Sequence, residues 1–550
     1  MKKSLILIFV VLGYNLSLYS QSPDWLWAKA VGGIGGESGT SIKVDNRGNS
    51  YVAGYFDSPL IIGSDTLDNK GSGDIFLLKY DSKGNVLWAK SAGGNGYDHA
   101  SCLALDSSGN CYITGYFRSS NIGFDSLTIT KTSGGQHSDL FIVKYDSSGN
   151  IKWAKSAHGD SEDDSRSIWV ESNGDFYITG SFYSSSIYFD TIQLTNNYHD
   201  YADFYIAKYN TLGKVKWVKS AVGNHYDFGN SVSVDHSGNC YVTGNFNSTS
   251  ISFDSLTLTN TTAGEFANLF IVKYDSSGNA LWVKSTQGTS DAHGESIWAE
   301  GNGNFYISGS FYSSSINFDT INLTNHSYNK ADLFIAKYNA LGDVVWAKSA
   351  GGEGDDNCSN ITADESGNFY ITGDFGSSSV SFDNYNLINS DEYDDMFIVK
   401  YNSNGNVNWA KSAGGYYYDY GTSLSIDPNG FILHTGCFYE NINFSPTTLI
   451  SNGQYDFFLA KLNASVNEIE DKSSNSQFTI FPNPADDRIY IKTNEGEIGK
   501  VYIVHNTLGK EVKKGKIESE ITIVDLSNLS EGFYFISIGD HLKQKIIIHN

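Results

Sequence analysis

One position in this sequence carries a carboxylate again and again. Glu37, Asp98, Asp163, Asp227, Asp356 and Asp419 stand at equivalent places in successive segments, and Ala292, beside Asp291, takes the place in the fifth. Gathered around one opening, six carboxylates would attract a hard cation such as Ca²⁺, whose shell is built from oxygen ligands. The competing reading is local, with each carboxylate accepting backbone N–H groups of its own Gly-rich turn. No segment packs its oxygens as a D-x-D-x-D-G loop does, which favours the local reading. Beyond Ca²⁺, no cofactor is expected.

Lysine recurs as well. Lys79, Lys144, Lys208, Lys273, Lys337, Lys400 and Lys461 each follow by five residues Asp74, Asp139, Asp203, Asn268, Asp332, Asp395 or Asp456. A second series, Lys29, Lys90, Lys155, Lys219, Lys284, Lys348 and Lys411, follows a Trp by two. Together these cations could form an anion-binding surface. A site is usually unique while scaffold is copied, so the expectation is structural Asp–Lys pairing with the long stems laid over aromatic faces. Signatures of catalysis are missing: the His residues show no metal-ligand spacing, and neither G-x-S-x-G nor a phosphate loop occurs. No catalytic residue is assigned. A formal net charge of −24 argues against nucleic acid, whose phosphates it would repel. The Cys residues form no C-x-x-C pair and read as small buried residues.

What positions these residues is a repeat. FIVKYDSSGNIKWAKSA (141–157) has five close copies, and Trp27, Trp88, Trp153, Trp217, Trp282, Trp346 and Trp409 mark its period. Each period holds four strand-like runs, such as SCLALD, CYITGYF, LFIVKYD and IKWAKSA in the second, joined by D-x-x-G-N turns. Between runs two and three lies an excursion expected to carry an extra strand or hairpin. The ends hold matched halves of the phrase, WLWAKA (25–30) and DFFLAKLN (456–463). Joined, they complete a seventh hairpin. The expected fold is all-β: a seven-bladed β-propeller over 21–463, closed by the N-terminal strand so that no edge stays open, then a linker (464–477) and a small C-terminal β-sandwich (478–550).

The phrase, followed by D-x-x-G-N-x-Y-x-T-G, resembles the SBBP β-propeller repeat of secreted bacterial proteins. That resemblance implies a propeller in an extracellular setting. The alternating segments after 478 resemble the C-terminal sorting domain of the type IX secretion system of Bacteroidota, through Pro482-Asn483-Pro484-Ala485, Asn506 with Gly509-Lys510, and Asp525-Leu526-Ser527 with Gly532-Phe533-Tyr534. It implies export by that machinery and a place at the outer-membrane surface or outside the cell. The N-terminus agrees: Lys2 and Lys3 precede a short apolar run, and Ser20 suits cleavage of a signal peptide over 1–20. That run is too short to cross a bilayer, and no transmembrane segment is expected.

The function these readings favour is a non-catalytic binding or adhesion module, monomeric, with an unidentified extracellular glycan or protein ligand. The alternatives are a secreted hydrolase or lyase with its site at the channel mouth and a structural surface-layer protein. The excursions also carry Asp-Ser/Thr-aliphatic triplets that resemble the O-glycosylation acceptor of Bacteroidota, placing candidate acceptors at Thr66, Ser126, Thr191, Ser255 and Thr320. The plainer reading is that Asp and Ser/Thr start a strand.

Overall fold

The repeated phrase folds as its alternation dictates. A computed structural model describes residues 23–464 (less 64, 261, 263, 287, 328 and 365) and, further on, 478–481, 485, 487–493, 497–506, 510–530, 532–539 and 544–548. In it Asp139–Tyr145 and Ile151–Ser156 are antiparallel partners. Asp98–Leu105 pairs with Cys111–Phe117, which pairs in turn with Asp139–Tyr145, so sheet order follows chain order. Both hairpin turns use one device. Asp106 Oδ1 accepts the N–H groups of Ser108 and Asn110 at 3.0 and 2.9 Å, and Gly109 takes φ 75°, a region closed to most side chains. Asp146 and Gly149 repeat it.

The first strands of successive units are Glu37–Val44, Asp98–Leu105, Asp163–Val170, Asp227–Val234, Ala292–Ala299, Asp356–Ala363 and Asp419–Ile426. Each bulges after a small residue (Gly39, Ala100, Ser165, Gly229, Gly294, Cys358, Gly421), so that the next residue is passed over in the pairing. The bulge brings the first strand hard against the second. A Cβ on Gly54 would strike the Ser38 carbonyl oxygen and the Phe76 ring, which accounts for the Gly-x-Phe ending of every second strand.

Neighbouring units are joined by a repeated bond from a first-strand side chain to the next first strand. The Leu103, Val232, Ile297 and Ile361 N–H groups donate to Ser41, Ser167, Ser231 and Ser296 hydroxyls at 3.1–3.2 Å. Leu424 N–H donates to Asn360 Oδ1, and Ile42 N–H to Ser423 Oγ, both at 3.3 Å. The last of these ties the final unit to the first. Apolar clusters likewise draw on two units each: Tyr112 and Ile142 pack with Phe176 and Ile178, and Leu433, Phe457 and Leu459 pack with Ile42, Val52 and Phe76. Trp25–Val31 pairs with the late strand Thr447–Asn463, Trp27 opposite Lys461 and Val31 opposite Phe457.

The excursions are hairpins, for example Asn121–Phe124 with Leu127–Thr130 and Ser250–Phe253 with Leu256–Thr259. Asp125, Asp190, Asp254, Asp319 and Asp383 turn the later ones, at φ 47–52°. The Lys that follows Trp by two pairs with this Asp, as in Lys90–Asp125 (3.2 Å) and Lys219–Asp254 (2.8 Å). The other Lys series corrects the expected pairing. Lys79 reaches Asp45 and not Asp74, because residues five apart on a strand lie on opposite faces. Lys144–Asp106, Lys208–Glu171, Lys337–Glu300 and Lys461–Asp427 follow the same plan, each Lys lying over the ring of a second-strand aromatic residue. All the Cys residues are free thiols, and Cys102 occupies the place of the bridging Ser41.

The chain divides into two compact units at Val466/Asn467. In the second, a three-stranded sheet (Phe478–Phe481, Arg488–Thr493, Ile521–Asp525) and a four-stranded one (Glu511–Lys516, Val501–Asn506, Gly532–Ile538, Gln544–Ile548) share one apolar cluster that includes Ile489, Val504 and Ile536. The segment 1–20, the linker beyond Ala464, and Pro482, Asn483, Pro484 and Gly509 lie outside the described residues. Gly532 opens its strand, and Tyr534 is buried in the sandwich core with its hydroxyl donating to the Ser530 carbonyl at 2.9 Å. Among the described residues no helix is long and apolar enough to cross a membrane.

Candidate functional site

The recurrent acids do not line an open mouth. Each begins a first strand, is 0–1% exposed, and sits where two units meet. The Asp98, Asp163, Asp227, Asp356 and Asp419 N–H groups donate to carbonyls of Gly73, Ser138, Ala202, Ala331 and Asp394 in the preceding unit. The residue after each of those carbonyls is the acid of the Asp74 series. Carboxylates of adjacent units are therefore neighbours: Asp74 with Asp98, Asp139 with Asp163, Asp203 with Asp227, Asp332 with Asp356, Asp395 with Asp419, and Asp456 with Glu37. In the fifth unit, where Ala292 replaces the acid, its opposite number is Asn268. The pair is kept or lost together.

Most of these acids are satisfied by their own turns, as the local reading expects. Asp98 accepts Gly94 N–H (2.9 Å) and both the N–H and Oγ–H of Ser119 (3.1 and 2.7 Å). Ser184, Ser248 and Ser377 serve Asp163, Asp227 and Asp356, and Ser58 with Gly33 serves Glu37. Burial outweighs these bonds and holds the acids above the usual carboxylate range: Glu37, Asp203 and Asp356 rise to about 7, Asp74, Asp395 and Asp456 to about 6. Asp163 and Asp227 are raised well above that range by burial, and Asp419 is pushed to about 10 by burial and then by the Asp395 charge. No group of three or more His, Cys, Asp or Glu side chains able to hold a metal occurs among the described residues.

A second feature stands on the same side of the strands, in columns that are not copied. Here a cleft of about 420 Å³ opens across the second to fourth units. His99 and Asp164 follow the recurrent acids, Tyr116 fills the middle of Gly-x-Phe, Arg118 follows the Phe, and Arg166 is the bulge residue of its strand. Arg118 Nη2 meets Glu162 Oε1 at 3.0 Å, and Arg166 Nε meets Asp164 Oδ2 at 3.2 Å. The Arg166 guanidinium also lies 4.6 Å from the Phe228 ring centroid and donates to Asn230 Oδ1 at 2.8 Å. His99 stacks on Tyr116 with centroids 5.2 Å apart and planes 12° apart, and burial lowers its pKa to about 4. It is a neutral aromatic surface at physiological pH. A tyrosine belt continues in the last two units, where Tyr393, Tyr417, Tyr439 and Tyr455 are linked ring to ring at 4.8–5.3 Å.

Of the cleft residues, Asp163 belongs to the recurrent acids and His99 is one of two His, with His293, that follow that column; the others were not singled out from the sequence. Their signal was present: in columns flanking the copied acid, residue type changes from unit to unit, and two of the chain's four Arg fall there. The candidate glycan acceptors Thr66, Ser126, Thr191, Ser255 and Thr320 are all exposed, in or beside the turns of the excursion hairpins.

Comparison with known proteins agrees with this division. Residues 479–549 match the family model of the secretion system C-terminal sorting domain. Over 536 aligned residues, 79% of this chain, the protein is 24% identical to an uncharacterised WD repeat-containing protein of Acanthamoeba polyphaga mimivirus. The chain spans only 38% of that relative's length. Among solved structures, quinohemoprotein alcohol dehydrogenase from Comamonas testosteroni is similar at 10% identity and TM-score 0.37, over 80% of this chain and 76% of that one. PorZ, a surface component of the type IX secretion system of Porphyromonas gingivalis, is similar at 10% identity and TM-score 0.16, over 95% of this chain and all of the other. The fold itself defines the class, an all-β repeat protein of docked, chiefly four-stranded units. It carries a type IX secretion sorting domain, and its destination is the cell surface or the medium.

Proposed function

We propose that the exported chain is a seven-bladed, SBBP-type ring closed by its N-terminal strand, and that it binds an extracellular glycan, without catalysis, at the mouth where the first strands begin. The Ser423–Ile42 bond and the Trp25–Val31 pairing support the ring. The observation that carries the binding site is the cleft, where sevenfold copying gives way to paired aromatic and Arg–carboxylate side chains. Flat rings offer platforms to the apolar face of a sugar, and fixed guanidinium and carboxylate groups bond its hydroxyls. Glu162 and Asp164 are held by Arg118 and Arg166, which suits recognition better than proton transfer. A signal peptide over 1–20, a monomeric state and O-glycosylation of the exposed excursion hydroxyls belong to the same proposal. Such glycans would leave the cleft as the free surface.

Glycan-array binding of the full-length protein tests it. Tyr116→Ala and Arg118→Ala should each weaken the strongest signal by about tenfold, the loss of one good charged or aromatic anchor. Undiminished binding in both variants would place the ligand elsewhere.

A further inference from the structure

Asp419 departs from the rule that its equivalents obey. Twenty-one residues after Glu37, Asp98, Asp163, Asp227 and Asp356 stands a Ser that bonds the carboxylate; at that distance from Asp419 stands Glu440. The chain there does not break into a turn. It runs as the continuous strand Phe431–Phe444, with Glu440 at φ 57°. Asp419 is left 0% exposed, with no side-chain donor on either carboxylate oxygen and only the Gly415 N–H turned toward it. Beside it is Asp395, 2% exposed, whose oxygens accept the N–H and Oγ–H of Ser390 at 2.8 Å.

Two buried carboxylates side by side, one without a side-chain donor, must be neutralised by a cation or by a proton. Among the described residues neither forms an ion pair with Lys, Arg or His. The surroundings are further oxygens: a Cβ on Gly414 would meet the Asp395 carboxylate, and one on Gly415 would meet the Asn441 carbonyl and side-chain oxygens. Gly at both positions lets the chain pass this close to these oxygens. We propose that Asp395 and Asp419 hold a divalent cation of the calcium type at the junction of the last two units, its shell completed by neutral oxygens such as those of Asn441. Two carboxylates with carbonyl-type oxygens suit a hard cation and set a weak affinity, on the order of 10⁻⁴–10⁻³ M as in extracellular calcium modules. The cation would tie the two units together from within, independently of any ligand at the cleft.

The test is titration of the full-length protein with Tb³⁺ under tyrosine excitation, since Tyr418 and Tyr420 flank Asp419, followed by displacement with Ca²⁺. One saturable equivalent is expected. Asp419→Asn should weaken it by about tenfold or more, while Asp98→Asn, at a junction with its Ser intact, leaves it unchanged. Glu440→Ser, which returns the missing donor, should also weaken binding and covers the case that Asp419→Asn fails to fold. Absence of saturable binding would mean that the pair shares a proton instead and would overturn the site. So would parent-like binding by the Asn and Ser variants, or an equal loss in Asp98→Asn.

Discussion

Lys208 shows how much a single copied position does. Its ammonium bonds the Tyr177 hydroxyl and lies 3.3 Å from Glu171 Oε1, with the two ion-pair side chains only 7% and 14% exposed. Tyr177 in turn donates to Glu171 at 3.0 Å, so one residue fastens the third strand to the turn between the first two. The sequence reading had such a Lys pairing with the Asp five residues before it. The copied five-residue spacing favours that pairing, but strand geometry forbids it. Lys208→Met keeps the stem over the ring and leaves Glu171 without its partner. It should cost about 3 kcal/mol, the usual penalty of breaking a buried pair, read as a lower melting temperature. Lys337→Met, in another unit around Glu300 and Tyr306, should do the same, and the double variant should lose close to the sum, since distant sites add. A neutral result for both would show the Lys columns to be surface decoration.

At the scale of strands, the repeat was legible because its signals are local. The D-x-x-G-N turns, the alternation within each run and the length of the excursions each constrain their own neighbourhood. Pairing between carboxylates of successive units was not legible, since Asp74 and Asp98 meet only when two units dock. The cleft was missed for the opposite reason, as its residues lie in the columns that do not repeat. The junction acids have a consequence for pH. Their pKa values are raised by burial, to about 7 for Glu37, Asp203 and Asp356. An acid raised on folding contributes stability that is complete below its unfolded value near 4 and is lost as pH rises through the folded value. With cations chelated, the melting temperature should therefore fall between about pH 4.5 and 7.5. Glu37→Gln with Asp356→Asn should flatten that slope. A melting temperature that climbs over the same interval would contradict the assignment.

At the scale of the whole repeat, the decisive contact joins its first strand to its last. Trp25–Val31 supplies the outermost strand beside Thr447–Asn463 and Phe431–Phe444 of the last unit, and Trp25 packs edge-on against Phe444 at 4.8 Å beside the buried Trp409. The sequence announced this by splitting one phrase between its ends. A strand so placed is fixed only after the rest of the chain is made, and its removal uncovers the backbone edge of Phe457–Leu462. Open edges of this length invite pairing with other chains. Deletion of residues 24–30 should therefore lower the melting temperature sharply and produce concentration-dependent oligomers in size-exclusion chromatography. Adding a synthetic peptide of the deleted sequence should reverse both effects by restoring the missing edge. A truncated chain that stays monomeric and melts like the parent would show that the ring does not depend on its N-terminal strand for closure.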